Sequence, residues 1–300
     1  MSFDAGSQLD PSQVGDSRGG GGGGIGRGGL IAGGGIGGLV ITLIAVMLGI
    51  NPGDIEGTNN APVEDRPSAV SSSLQECQTG QQANQRSDCR VVATVNSLNQ
   101  FWGAYLPRYD IDYTRPRAQL FTSRVSTGCG TASSSTGPFY CPTDRTAYFD
   151  LSFFSLLQQQ FDTAGGPLAE EYVVAHEVGH HVQNLLGTLD YAQRDPQGPE
   201  SGAVRVELQA DCYAGLWARH ASSDQNTGPV SLDPITDAQL NEALDAAGKI
   251  GDDKIQTKAQ GYTQPETYTH GTGEQRQRWF MTGYRTGDIT RCDTLRASQL

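Results

Sequence analysis

Positive charge is scarce in this sequence. The 300 residues contain 21 lysines and arginines against 33 aspartates and glutamates, which gives a formal net charge of −12 at pH 7. No run of basic residues interrupts this excess of acid, so most of the surface would repel the phosphates of a nucleic acid. We therefore expect no nucleic-acid partner.

A CxxC motif is also absent, which leaves a cysteine-ligated zinc site with little support. All of the cysteines follow residue 50, and their even number suits disulfides in an exported protein. Short loops favour Cys77 with Cys89 and Cys129 with Cys141, which leaves Cys212 with Cys292. Other pairings, or buried free thiols, are the alternatives.

Charge is missing altogether from residues 30–50, LIAGGGIGGLVITLIAVMLGI. At about 1.5 Å per residue, a helix of this length crosses a hydrocarbon core of roughly 30 Å, so we expect a single transmembrane helix here. Arg18 and Arg27 precede the run, while acidic residues follow it. This distribution predicts a cytoplasmic N terminus, with the residues after the helix on the extracytoplasmic side of the cell membrane. A cleaved secretory signal is the alternative.

The rest of the domain organisation follows from composition. Residues 1–29, with a run of glycines at 19–24, predict a flexible cytoplasmic tail. Residues 51–73 are rich in Pro, Gly, Asn and Ser and predict a linker. Residues 74–300 then form an extracytoplasmic domain.

Within that domain, the apolar spacing predicts more helix than strand. Helices are expected at residues 89–105, 153–161, 236–248 and 272–287, and strands at 119–125 and 147–151 on either side of a loop that a disulfide could close into a hairpin. Residues 191–201 and 252–267 are expected to be loops. The predicted fold class is α+β and predominantly helical.

Only five histidines are present, and two of them lie in the motif HEVGH at residues 176–180. Pro167 suits the first turn of a helix and Gly187 suits its end, so the motif is expected to be helical. On a helix, His176 and His180 lie one turn apart and can bind one Zn²⁺, while Glu177 can act as general base on the attacking water. Histidines that only pack and cap are the structural alternative.

A second helix, expected from about residue 200 to 220, carries two carboxylates one turn apart in VELQAD. A catalytic zinc takes three protein ligands and keeps one open position, so Glu207 is the expected third ligand. Asp211 is expected to accept a hydrogen bond from a ligating histidine. Exchanged roles for these two residues, or an ordinary solvated helix face, are the alternatives.

Two further histidines are candidates for supporting roles. His270, in THGTGEQR, is the candidate for stabilising the oxyanion that develops on an attacked carbonyl, with a local hydrogen bond as the alternative. His181 lies off the ligand face and is expected either to support the site or to have no role in it.

Five segments together resemble the bacterial family of "putative neutral zinc metallopeptidases". They are GPFYCP (137–142), YFDLSFF (148–154), VVAHEVGHHVQNLLG (173–187), VELQADCYAGLWA (206–218) and THGTGEQRQRWFMTGYRTGD (269–288). The resemblance implies a zincin-like fold behind an N-terminal membrane anchor and a metallopeptidase activity. The pattern of HExxH on one helix and ExxxD on the next also looks like that of the gluzincins, which implies ligation by His176, His180 and Glu207, a general base at Glu177 and support from Asp211.

Two functional hypotheses therefore stand. The first is a membrane-anchored zinc peptidase that hydrolyses peptide bonds in a peptide or protein substrate. The second is a non-catalytic extracytoplasmic module for binding or assembly, in which zinc is structural. A fourth protein ligand, such as His270 or His181, would favour the second hypothesis because it would leave no position for water.

Overall fold

The computed structural model describes residues 3–18, 72–161, 163, 165–224, 226 and 228–300. Among these residues, no helix has both the length and the apolar character needed to cross a bilayer. The transmembrane helix predicted at residues 30–50 lies outside the described residues, as does most of the predicted linker.

The described chain is an α+β fold in which helices predominate. The helices are α1 (Ser72–Gln75), α2 (Gly80–Gln85), α3 (Ser87–Tyr105), α4 (Ser152–Phe161), α5 (Pro167–Leu186), α6 (Asp190–Arg194), α7 (Gly202–Ala221), α8 (Asp237–Lys249), α9 (Asp252–Gln260) and α10 (Gly273–Thr286). The strands are β1 (Val14–Asp16), β2 (Arg117–Phe121), β3 (Arg124–Thr127), β4 (Gly130–Ser133), β5 (Phe139–Cys141) and β6 (Thr146–Asp150). Helices α6 and α9 correct our expectation of loops at residues 191–201 and 252–267.

The main sheet has four strands in the order β1-β2-β6-β5. Strands β1, β2 and β6 are parallel, and β5 is antiparallel to β6 at one edge. The prediction of a hairpin between the two longer strands is therefore wrong. Antiparallel hairpins are instead formed by β3 with β4, which lie in the connection between β2 and β6, and by β5 with β6.

The N-terminal residues also differ from the prediction. Residues 3–18 pack against the domain, and they contribute both β1 and the buried side chains of Phe3 and Val14. The prediction of a flexible tail over residues 1–29 is therefore wrong for residues 3–18.

The core is built around helix α7, which packs against both α5 and α10. Glycines allow the backbones of α7 and α10 to approach each other closely. A Cβ on Gly215 would lie 1.9 Å from the carbonyl oxygen of Phe280, and one on Gly283 would lie 1.9 Å from that of Cys212. The backbones of α7 and α10 are therefore in direct contact, which fixes how residues of α10 reach the site described below.

All three predicted disulfides are present. Cys77 is bonded to Cys89, Cys129 to Cys141, and Cys212 to Cys292. The third bond joins helix α7 to the C-terminal segment, so the C-terminal end of the domain is covalently tied to a helix of the site.

Candidate metal centre

Helix α5 places the HEVGH motif inside the protein. Pro167 occupies its first turn, and Gly187 ends it with a left-handed backbone of φ 70°. The centroids of the His176 and His180 rings are 4.7 Å apart, and both residues are buried. The helix supplies the geometry that the spacing predicts.

Helix α7 brings Glu207 to the same two rings. Nε2 of His176 lies 3.1 Å from Oε2 of Glu207, and Nε2 of His180 lies 3.4 Å from Oε1. One donor atom from each of the three residues falls within 4.8 Å of the other two. Gly179 permits this approach, because a Cβ there would lie only 3.2 Å from backbone atoms of Ala210.

The outer nitrogen of each histidine has its own partner. Nδ1 of His176 lies 2.8 Å from Oδ1 of Asp211, and Nδ1 of His180 lies 2.8 Å from Oε1 of Gln183. The amide nitrogen of Gln183 donates to the carbonyl oxygen of Val206 at 2.6 Å, which fixes the amide oxygen toward His180. Both rings are thus held with Nε2 directed at the carboxylate of Glu207.

The electrostatic surroundings shift the pKa values of the three donor residues in different directions. Burial lowers the pKa of His180 to about 4, which keeps that ring neutral. Burial also lowers the pKa of His176, but the Asp211 and Glu207 carboxylates more than offset this and raise it to about 10. Burial acts to raise the pKa of Glu207, yet the surrounding histidines hold it well below the usual range, so the carboxylate is ionised.

This donor set fits Zn²⁺. Two imidazole nitrogens and a carboxylate oxygen are ligands that zinc takes in catalytic sites. Nε2 of His180 is buried, and none of the residues that the structure describes forms a hydrogen bond with it. A buried nitrogen without a partner is costly, and a metal ion between the three donors would satisfy it. The other described cluster of this kind contains Cys77 and Cys89, whose sulfurs are already bonded to each other.

Glu177 follows the first of these histidines and is itself buried. Its Oε2 atom has no hydrogen-bond partner among the described residues, and burial raises the pKa of its carboxyl group to about 7. A carboxylate with a pKa near neutrality can both accept and return a proton at physiological pH.

His270 lies at the edge of the cluster rather than within it. Its Nε2 atom is 3.9 Å from Oε2 of Glu207, whereas its Nδ1 atom is 2.8 Å from Oγ1 of Thr269. The loop that carries it is fixed by Asp252, whose Oδ2 accepts hydrogen bonds from the backbone N–H groups of Thr269, His270 and Gly271. Burial lowers the pKa of His270, but the carboxylates of Glu207 and Asp252 raise it overall.

His181 faces away from the three donors. Its Nδ1 atom lies 2.9 Å from the hydroxyl of Tyr140 in β5, and its Nε2 atom lies 2.6 Å from the carbonyl oxygen of Thr114. It therefore connects helix α5 to the edge strand of the sheet and to the loop before β2.

Arg276, on helix α10, is a part of the site that the sequence reasoning missed. Its Nε atom donates to Oδ2 of Asp211 at 2.9 Å, and its Nη2 atom donates to Oδ1 at 3.0 Å. Tyr172 donates to the same Oδ1 at 2.6 Å. A signal was present, since Arg276 shares the buried stripe of α10 with Phe280 and Gly283, where a charged residue needs a buried partner.

Comparison with known proteins agrees with this geometry. The chain matches the model of the family described as "Putative neutral zinc metallopeptidase" over residues 6–295. It is 52% identical over 259 residues to "Uncharacterized protein Rv2575" of Mycobacterium tuberculosis, covering 85% of this chain and 86% of that protein. It is 36% identical over 264 residues to "Uncharacterized protein YpfJ" of Escherichia coli K12, covering 86% of each. No solved structure matches the chain.

The family match covers nearly the whole of the chain, including the N-terminal strand, the HEVGH helix and helix α10. The predicted family and the predicted cofactor are therefore confirmed. The chain belongs to the neutral zinc metallopeptidase family that this model describes, and its cofactor is Zn²⁺.

Proposed function

We propose that the protein is a zinc peptidase that hydrolyses peptide bonds in a peptide or protein substrate, with Glu177 as general base. One observation carries the proposal. Three buried donor atoms, from His176, His180 and Glu207, lie within 4.8 Å of one another. The neighbouring carboxylate of Glu177 is buried, and its Oε2 atom forms no hydrogen bond within the described part of the chain.

The chemistry follows from the residues around that point. Zn²⁺, when bound, supplies a Lewis acid that lowers the pKa of water and polarises a carbonyl group. Glu177 takes a proton from the attacking water and returns it to the amine that leaves. Because burial disfavours the charged form of Glu177, its carboxylate is a stronger base than that of a solvated glutamate.

Asp211 and Gln183 contribute by orientation. Each contacts the outer nitrogen of one proposed ligand at 2.8 Å, so Nε2 of each imidazole points toward Glu207, where the metal would lie. His270 reaches the edge of the same space, 3.9 Å from Glu207, and its raised pKa favours a protonated ring. We assign it the stabilisation of the oxyanion on the attacked carbonyl.

The non-catalytic alternative requires a fourth protein ligand. Among the described residues, no further His, Cys, Asp or Glu joins the three donors within 4.8 Å. His181 is engaged by Tyr140 and Thr114, and His270 lies outside the cluster. The geometry therefore supports a site with an open position, as hydrolysis requires.

The test compares the parent protein with Glu177→Gln. Proteome-wide profiling of new peptide ends should yield cleavage sites for the parent, and Glu177→Gln should cut the same sequences at least about 100-fold more slowly. Metal analysis should find equal zinc in both. Glu274→Gln, at a side chain that is 84% exposed, is the matched control and should behave as the parent. Equal cleavage by Glu177→Gln would contradict the proposed mechanism.

A further inference from the structure

The N-terminal segment, residues 3–18, is seated on the domain through backbone contacts along most of its length. We call this segment the N-terminal clip. The backbone N–H of Leu9 donates to the carbonyl oxygen of Gln78, and that of Gly80 donates to the carbonyl oxygen of Ser7, both at 2.9 Å. These bonds flank an antiparallel bridge between Gln8 and Thr79. Further along, β1 adds a parallel strand to the edge of the sheet at β2.

Two asparagines of the domain bind the clip as a neighbouring strand would. The side chain of Asn84 accepts from the backbone N–H of Phe3 and donates to its carbonyl oxygen, both at 2.8 Å. The side chain of Asn96 does the same for Asp10, at 2.7 and 3.1 Å. Each amide thus satisfies both backbone groups of one clip residue.

The domain is also shaped to admit the clip. A Cβ on Gly80 would lie 1.9 Å from the carbonyl oxygen of Asp4, so a larger residue could not occupy that position with the clip in place. Phe3 and Val14 are exposed by only 1% and 0%, and both belong to the core of the domain. At the far end, Arg18 forms an ion pair with Asp88 of α3 at 3.2 Å.

This packing bears on the position of the chain relative to a membrane. A single crossing at residues 30–50 would place residues 3–18 on one side and residues 72–300 on the other. The clip and the domain share one sheet and one core, so they must lie on the same side. A single crossing at residues 30–50 and the packing of the clip on the domain therefore cannot both occur in one folded molecule.

We propose that the N-terminal clip is a permanent part of the peptidase domain and lies in the same compartment as the metal centre. A single membrane crossing between the clip and the domain is therefore excluded. This inference does not depend on the proposed chemistry, because it rests on contacts distant in sequence from the HEVGH motif.

A disulfide across the bridge tests the inference in the full-length chain. Gln8 and Thr79 form a non-hydrogen-bonded antiparallel pair, which brings their Cα atoms to about 4.5 Å, within the range of a disulfide. The native cysteines do not compete, because they are already bonded in pairs. Gln8→Cys/Thr79→Cys is expressed in cells that export the chain, with a protease site inserted in the glycine run at residues 19–24.

After cleavage, the N-terminal fragment should stay attached on a denaturing gel without reductant and be released by reductant. Gln8→Cys alone is the control and should release the fragment in both conditions. Thermal unfolding of the uncleaved double variant checks that it folds. Release without reductant from a folded double variant would overturn the proposal, and so would a crosslink found only between two chains.

Labelling of single cysteines in intact cells gives an independent measurement. Ser12→Cys places a thiol on an exposed position of the clip, and Tyr262→Cys places one on a residue of the domain that is 56% exposed. A maleimide that cannot cross membranes should label both variants or neither, and should label both after lysis. Labelling of only one of them in intact cells would overturn the proposal.

Discussion

At the scale of single residues, the site depends on how Asp211 is neutralised. This carboxylate is fully buried and contacts His176, Tyr172 and Arg276 at once. Burial acts to raise its pKa, but the Arg276 guanidinium and His176 hold it below the usual value. A buried carboxylate without a cation is strongly unfavourable, so Arg276 allows Asp211 to stay ionised and to orient the ring of His176.

Substitution of Arg276 should therefore weaken metal binding. Arg276→Lys keeps the charge but loses the two-pronged contact with Asp211, and we expect the Kd for Zn²⁺ to rise about 10-fold to 100-fold. Competition with a chromophoric chelator measures this Kd. Arg278→Lys, on the exposed side of the same helix, should leave it unchanged. An unaltered Kd for a folded Arg276→Lys protein would argue against the role.

His270 offers a second test at this scale. His270→Ala should retain zinc, since His270 is not among the three donors, but should lower kcat by about 100-fold to 1,000-fold if it stabilises the oxyanion. His220→Ala removes a histidine that packs on Phe101 away from the site and serves as the control. Loss of zinc from His270→Ala would instead identify His270 as a ligand.

At the scale of elements, the sequence predicts the six longest helices well, but neither the four shorter ones nor how the elements pack. Pro167, Gly187 and the Thr272–Gln275 capping box mark helix ends by local chemistry, and the ends of α5 and α10 lie where these signals predict them. The parallel pairing of β2 with β6 carries no local signal, because it depends on the connection between them rather than on either strand.

Gly283 gives a prediction about the crossing of α7 and α10. An alanine in a helix interior is normally favoured over glycine by about 1 kcal/mol, yet here its Cβ would meet the backbone of Cys212. Gly283→Ala should thus lower the free energy of unfolding by about 1–3 kcal/mol. Gly103→Ala, at an exposed helical position where the nearest atom is 3.6 Å away, is the matched control and should be neutral or stabilising. Urea unfolding separates the two, and equal stabilisation by both would contradict the close crossing.

At the scale of the whole molecule, the largest difference from the sequence prediction is the N-terminal clip. Phe3, Leu9 and Val14 are isolated apolar residues in a polar stretch, so they produce no periodic pattern. Their burial is determined by the surface that receives them, above all by Gly80 and Asn84, which lie far away in the sequence. Cysteine pairing was easier to predict, since two of the three disulfides close short loops.

Stability should also depend on pH through Glu171. This residue is fully buried, and within the described part of the chain neither of its carboxyl oxygens has a hydrogen-bond partner. Burial raises its pKa to about 8 from the usual 4.5. Between these values the folded protein keeps the proton while the unfolded chain loses it. The free energy of unfolding should therefore fall as pH rises from 4.5 to 8, by at most about 1.4 kcal/mol per pH unit from this group.

Glu171→Gln should remove that part of the pH dependence, so that the variant gains stability over the parent as pH rises. Urea unfolding at several pH values between 5 and 8 measures the difference, with Glu274→Gln as the exposed control. Parallel curves for parent and Glu171→Gln would show that Glu171 is ionised in the folded protein.

The central claim is that His176, His180 and Glu207 bind one zinc ion and leave it an open position. X-ray absorption spectroscopy of the zinc-loaded protein tests this most directly. We predict nitrogen and oxygen neighbours only, at about 2.0–2.2 Å, with scattering from two imidazole rings, and loss of the bound zinc in Glu207→Ala. A sulfur neighbour at about 2.3 Å, or scattering from three imidazoles, would contradict the account.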